Sequence, residues 1–152
     1  MTQEELKIKI TEILPEATIE EGGDWPSFDL PAEKWLTAAE TLRQQASLQM
    51  DFLFCLTCID WKTHLTMVYH LRSTTSQQNI VIKIKLDTAK PEIESVAHIW
   101  RTAEFHEREV YEMFGVNFLH HPDLRLLILP DGWEGKNPLR KDFEDPVNMI
   151  KL

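Results

Sequence analysis

The chain has 152 residues, 43% of them hydrophobic and 27% charged, which suits one domain with a single core. Its net charge of −9 argues against nucleic acid or an anionic membrane surface as the main partner. Its apolar runs fall far short of the ~20 residues a bilayer-spanning helix needs, and the acidic start Met1-Thr2-Gln3-Glu4-Glu5 lacks the pattern of a signal peptide, so a soluble cytosolic chain is expected.

Thr2 followed by Glu5 is a capping-box pattern, and Leu6, Ile10, Ile13 and Leu14 recur at helical spacing until Pro15 ends the helix. Ala17 to Glu21 reads as a short strand before a Gly22-Gly23-Asp24 turn. Pro31 with Trp35, Ala38, Ala39, Leu42 and Ala46 predicts a second amphipathic helix. Strands are expected over about 52–59, 64–72 and 79–86. In the last of these, Ile80, Ile82, Ile84 and Leu86 share one face, while Lys83 and Lys85 share the other. The order implies an antiparallel β-meander packed against helices, an α+β domain over residues 1–130.

A helix from about Trp100 to Phe114 follows. On a helical wheel Ala103, Glu107, Val110 and Phe114 share one face, while Arg101, Arg108 and Glu112 point away. Glu104–Arg108 and Arg108–Glu112 fall at ion-pair spacing, and Gly115 is placed to cap the helix in a left-handed conformation. Glu107 sits inside the apolar stripe and needs a cationic partner or a proton. Arg125 or Arg140 is the expected partner. Beyond Pro130 the chain is rich in Pro, Gly and charge, with Trp133 and Phe143 as its aromatics. Residues 131–152 therefore read as an extended, docked tail whose ordering depends on another protein.

The reactive residue types fall short of known chemistries. Cys55 and Cys58 lie in an apolar strand, three apart and on opposite faces, so they are expected to be structural thiols that share neither a metal nor a disulfide. His106, His120, His121 and Asp123 lack metal-site spacing, and His121-Pro122-Asp123 reads as a turn in which the Asp123 carboxylate bonds nearby backbone. Gly22-Gly23 does not open a helix, so no phosphate cradle is expected there. Glu107 and Glu109 diverge on their helix, so paired acid–base chemistry is not expected either. Neither a catalytic residue, a cofactor-binding residue nor a metal ligand is expected on the chain.

The most specific block runs Glu107-Arg108-Glu109, Glu112, Gly115, then His121-Pro122-Asp123-Leu124-Arg125, then Pro138-Leu139-Arg140-Lys141-Asp142-Phe143. It resembles the signature of the C subunit of NADH-quinone oxidoreductase, respiratory complex I, tightly over 98–143 and loosely from 32. Phe105 stands where a Trp is common, Leu126 where a second Arg often follows, and Asn137 looks like an insertion. The resemblance implies a non-catalytic structural subunit of the peripheral arm, on the cytoplasmic face of a bacterial inner membrane. It implies packing beside the D subunit of the complex and near its B subunit, with NADH, FMN, iron–sulfur clusters and quinone handled by other subunits. It also implies a separately encoded polypeptide and not a C–D fusion. The equivalent subunit of a membrane-bound nickel-iron hydrogenase, an F420-dependent dehydrogenase or a photosynthetic NDH complex is the alternative. A freestanding redox protein using Cys55 and Cys58 is the alternative of a different class.

Overall fold

The computed structural model describes residues 2–145. The last residues of the expected tail, 146–152, lie outside that range.

Helix α1 (Gln3–Ile13) opens with the capping box: Thr2 Oγ1 accepts the Glu5 amide at 3.2 Å, and Glu5 Oε2 accepts the Thr2 amide at 3.1 Å. Strands β1 (Thr18–Glu20) and β2 (Ser27–Asp29) follow, then a 3₁₀ turn over Ala32–Lys34 leading into α2 (Trp35–Gln44). Three nine-residue strands come next: β3 (Phe52–Asp60), β4 (His64–Arg72) and β5 (Asn79–Asp87). The chain then forms β6 (Glu92–Glu94), α3 (Ala103–Phe114) and β7 (Asn117–Leu119).

The sheet order is β1-β2-β5-β4-β3, with a separate β6-β7 pair. The fold is α+β with a mainly antiparallel sheet, as expected, but it is more than a meander. β2 runs parallel to β5, and β6 parallel to β7. Alternation decides which side faces the helices: Leu65, Met67, Tyr69 and Leu71 of β4 meet Ile80, Ile82 and Ile84 of β5 on the core side, all fully buried. A β-bulge between Leu53 and Cys55 of β3 re-aims the edge strand. Cys58 then turns inward, buried, while Cys55 is half-buried; both are free, and burial pushes the Cys58 thiol up to about 12.

Side chains fasten α3 and its lead-in to the sheet edge. The Trp100 indole N–H donates to the Met50 carbonyl at 2.8 Å, and the Thr102 hydroxyl to the Leu53 carbonyl at 2.7 Å. The helix begins at Ala103, slightly later than the wheel suggested, because residues 96–102 are spent in turns that carry these anchors. It ends at Gly115, whose φ of 78° is left-handed and whose amide donates to the Tyr111 carbonyl at 2.9 Å. A Cβ at that glycine would lie 2.5 Å from Asn137 Nδ2, so a side chain there is disfavoured by the backbone and would also have to displace the Asn137 amide.

Candidate interface site on the signature helix

Helix α3 is buried on two flanks, and the signature residues divide between them. On the inner flank Glu107 is fully buried in the core, where the Ser95 hydroxyl and the Val96 amide donate to its Oε1 at 3.0 and 3.2 Å. Its Oε2 has no hydrogen-bond partner among the described residues. Burial outweighs those two hydrogen bonds and pushes the carboxyl up to about 8, so it holds a proton at neutral pH. Burial and the neighbouring Glu107 also hold the Tyr69 phenol well above its ordinary value. The arginine partner expected for Glu107 is therefore absent among the described residues. Arg125 is exposed and pairs with Asp123 at 2.9 Å, and Arg140 is engaged elsewhere. With no cation in reach among the described residues, a proton is the cheaper way to bury this side chain.

On the outer flank Arg108 and Glu112 are buried as well, at 5% and 1% exposure, which corrects the expectation that they face solvent. Neither uses the ion-pair spacing on the helix. Arg108 donates from Nε to the Arg125 carbonyl at 3.1 Å and from Nη2 to the Leu126 carbonyl at 2.6 Å. The Glu112 carboxylate accepts the amides of Leu127, Ile128 and Leu129 at 2.9 to 3.1 Å. Two side chains one turn apart thus grip the backbone of a loop with no secondary structure of its own. Residue pattern alone did not reveal this loop as a covering layer. The signal lay in Glu112 itself, a carboxylate with the reach to satisfy successive amides.

The His121-Pro122-Asp123 turn forms, but through the imidazole. His121 Nδ1 accepts the Asp123 amide at 2.9 Å, so its proton sits on Nε2, which donates to the Glu104 carbonyl at 2.9 Å. The Asp123 carboxylate instead takes the Arg125 guanidinium, and that hydrogen bond holds it below the usual carboxylate range.

The closing Pro138–Phe143 stretch lies back on the domain. Arg140 donates to the Phe114 carbonyl at 3.0 Å and the Thr88 carbonyl at 3.1 Å, with Asp60 and Asp142 each 3.9 Å from its Nε. Asp60 Oδ2 accepts the Lys141 amide at 2.8 Å, and this bond leads the causes that lower the Asp60 carboxyl. The Leu139 amide donates to the Met113 carbonyl, and the Phe143 ring sits 6.3 Å from that of Trp133. Thr88, Gly115, Trp133, Arg140 and Phe143 help line an open cleft of about 790 Å³ beneath this stretch. The exposed remainder of the signature is Glu109, Pro122, Asp123, Arg125, Leu139, Lys141 and Asp142.

Chemistry-bearing residues are dispersed around this site. Among the described residues, no group of three His, Cys, Asp or Glu side chains could hold a metal, and no helix is long and apolar enough to cross a membrane. The arrangement holds backbone and presents surface.

That architecture, a small α+β domain whose charges fasten its own loops and tail, has known counterparts. Residues 28–147 match the family model for the respiratory-chain NADH dehydrogenase 30 Kd subunit, and the chain belongs to that family. It is 35% identical to the C subunit of NADH-quinone oxidoreductase from Moorella thermoacetica over 137 residues, covering 89% of this chain and 90% of that one. It is 44% identical over 127 residues to the C/D subunit of NADH-quinone oxidoreductase from Phocaeicola vulgatus, covering 82% of this chain but only 24% of that longer protein. Among solved structures, a chain of the membrane-bound sulfane sulfur reductase (MBS), an archaeal respiratory membrane complex, superposes with a TM-score of 0.78 at 29% identity, covering 93% of this chain and 85% of that one. The trypsin-resistant fragment (1-134) of Nqo5 superposes with a TM-score of 0.68 at 25% identity, covering 82% of this chain and all of the fragment.

Proposed function

We propose that this chain is a non-catalytic structural subunit of the peripheral arm of a proton-translocating NADH:quinone oxidoreductase. It packs beside the D subunit, with the B subunit nearby, and supports the quinone-proximal module while other subunits carry NADH, FMN, iron–sulfur clusters and quinone. In this reading it reaches the cytoplasmic face of a bacterial inner membrane only through the complex, and residues 131–152 serve as a partner-binding tail. One observation carries the proposal: the signature charges Arg108 and Glu112, buried, and Arg140, half-buried, are spent on backbone groups of this chain, and none is gathered around a reaction site. The exposed signature residues Glu109, Asp123, Arg125, Lys141 and Asp142 are then available to neighbouring subunits, with Phe143 half-buried beside them.

A second reading keeps the role and changes the machine. The likeness to a chain of the sulfane sulfur reductase supports it, because the same fold there serves a respiratory complex with a different name and acceptor. The genes adjoining this one separate the two: NADH-binding flavoprotein genes favour the first reading, and hydrogenase-type or sulfur-reductase partners the second.

The test of the structural role is complementation of a complex that lacks this chain. Loss of the assembled quinone-proximal module is expected, with wild-type chain restoring assembly and turnover together. Substitutions at half-buried positions outside these contacts, such as His106→Gln or Cys55→Ser, are expected to leave turnover per assembled complex unchanged. Full assembly with abolished turnover in such a variant would move the chain into the catalytic machinery.

A further inference from the structure

The Arg108–Glu112 grip fixes a loop that does not use its own apolar side chains to fill the core. Leu126-Leu127-Ile128-Leu129 is an aliphatic run, yet Ile128 is 64% and Leu127 37% exposed. A loop that merely covered the helix would turn its aliphatic side chains inward, as Leu124 does by packing against the core. Here five backbone groups, from Arg125 to Leu129, are tied to two buried side chains, and the Leu127 and Ile128 side chains are left facing water.

The loop is not an isolated feature. Phe105, 56% exposed, lies beneath the Arg108 guanidinium, 5.6 Å from its ring centre. Leu139, 54% exposed, is pinned by its amide to the Met113 carbonyl at the other end of the helix. From Phe105 to Met113 the helix advances about 12 Å. Phe105, Leu127, Ile128 and Leu139 are thus four exposed apolar side chains carried on α3 or fastened to it, at Arg108, Glu112 and Met113. Arg125, next to the loop in sequence, is paired with Asp123. Exposed aliphatic side chains on a loop already anchored before binding fit an apolar groove on a protein.

We infer that the Leu127–Ile128 loop, held by Arg108 and Glu112, is an aliphatic docking knob for the D subunit. This rests on the functional reading proposed for the chain. Relatives that carry C and D on one polypeptide favour D as the occupant, because tethering two surfaces selects those that already meet. The anchor of the contact is then this loop. Arg140, Lys141 and Phe143 follow Leu139 in the chain, with the Arg140 guanidinium already committed inside the chain.

The experiment measures binding of the full chain to the D subunit encoded with it, for wild type, Ile128→Asp, Leu127→Asp and the control Ile8→Asp, which places the same charge at an equally exposed site on α1. Affinity is expected to fall about 30-fold or more for the loop variants, the loss typical of an interface anchor, and to stay unchanged for the control. Ile128→Ser, milder and fully compatible with an exposed site, guards against a folding defect and is expected to weaken binding in the same direction. Wild-type binding with undiminished binding by both loop variants overturns the knob and leaves the functional reading standing. No binding of the wild-type chain to D overturns the functional reading itself. Self-association of the chain that Ile128→Asp abolishes assigns the loop to a second copy and also overturns the inference.

Discussion

Glu107 and Glu112 sit on one helix, both withdrawn from water, and their surroundings treat them differently. On the inner flank, two donors meet one oxygen of Glu107 and its other oxygen meets none among the described residues. On the outer flank, three successive amides converge on Glu112. The inner carboxyl is carried neutral, at the cost of holding a proton well above its ordinary range. The outer one organises a loop. Burial alone does not settle what an acidic side chain does; the number of donors aimed at it does.

That contrast orders the expected effects of breaking each flank. Glu112→Ala leaves three loop amides without their acceptor and Arg108 beside an emptied site. It is expected to destabilise the domain by about 3–5 kcal/mol, measured by denaturant unfolding, with Glu112→Gln milder because one acceptor remains. A loss below that of an ordinary surface substitution would mean the loop is held by something else.

Glu107 gives the inner flank a pH signature. Its folded carboxyl is raised from 4.5 to about 8, so between those values the folded state binds more protons than the unfolded one. Stability therefore falls as pH rises through that window, by up to ~1.4 kcal/mol per pH unit, and levels off above it. Glu107→Gln removes the titrating group while keeping its shape. It is expected to flatten the profile and to exceed wild type in stability at pH 8. Parallel profiles for the two proteins would show that the carboxyl titrates normally.

Arg140→Ala tests the returning tail. It strands the Phe114 and Thr88 carbonyls and removes the guanidinium beside buried Asp60. A loss of about 2–3 kcal/mol is expected, together with faster proteolysis within 131–145. Gly115→Ala should cost about 1–2 kcal/mol from the left-handed cap, and pairing it with Asn137→Gly should recover only the part due to the clash. The smallest effect concerns the thiols. Cys58, buried and pushed up to about 12, should resist alkylation in the native state, whereas half-buried Cys55 should react first.

Much of this was legible in the sequence, and the gaps have physical causes. The long strands β3 to β5 carry their own alternation, and Thr2, Glu5 and Gly115 carry their own capping chemistry. Strands β2, β6 and β7 have three residues each, and their pairing partners lie remote in sequence, so local pattern could not reveal them. The helical wheel located Glu107 correctly inside the apolar stripe but could not name Ser95 and Val96, which arrive from a turn. It misplaced Arg108 and Glu112 because a wheel assumes one buried face, whereas the 125–129 loop creates a second. The outward turn of Leu127 and Ile128 had no signature in the sequence, because composition does not say which way a loop turns.

The most direct measurement is amide hydrogen exchange at Leu127, Ile128 and Leu129 in the isolated chain. With Glu112 gripping the loop, these three amides should be protected without any partner, and Glu112→Ala should release them while the β4 and β5 amides stay protected. Exchange at free-peptide rates in the wild-type chain would contradict the grip and everything built on it.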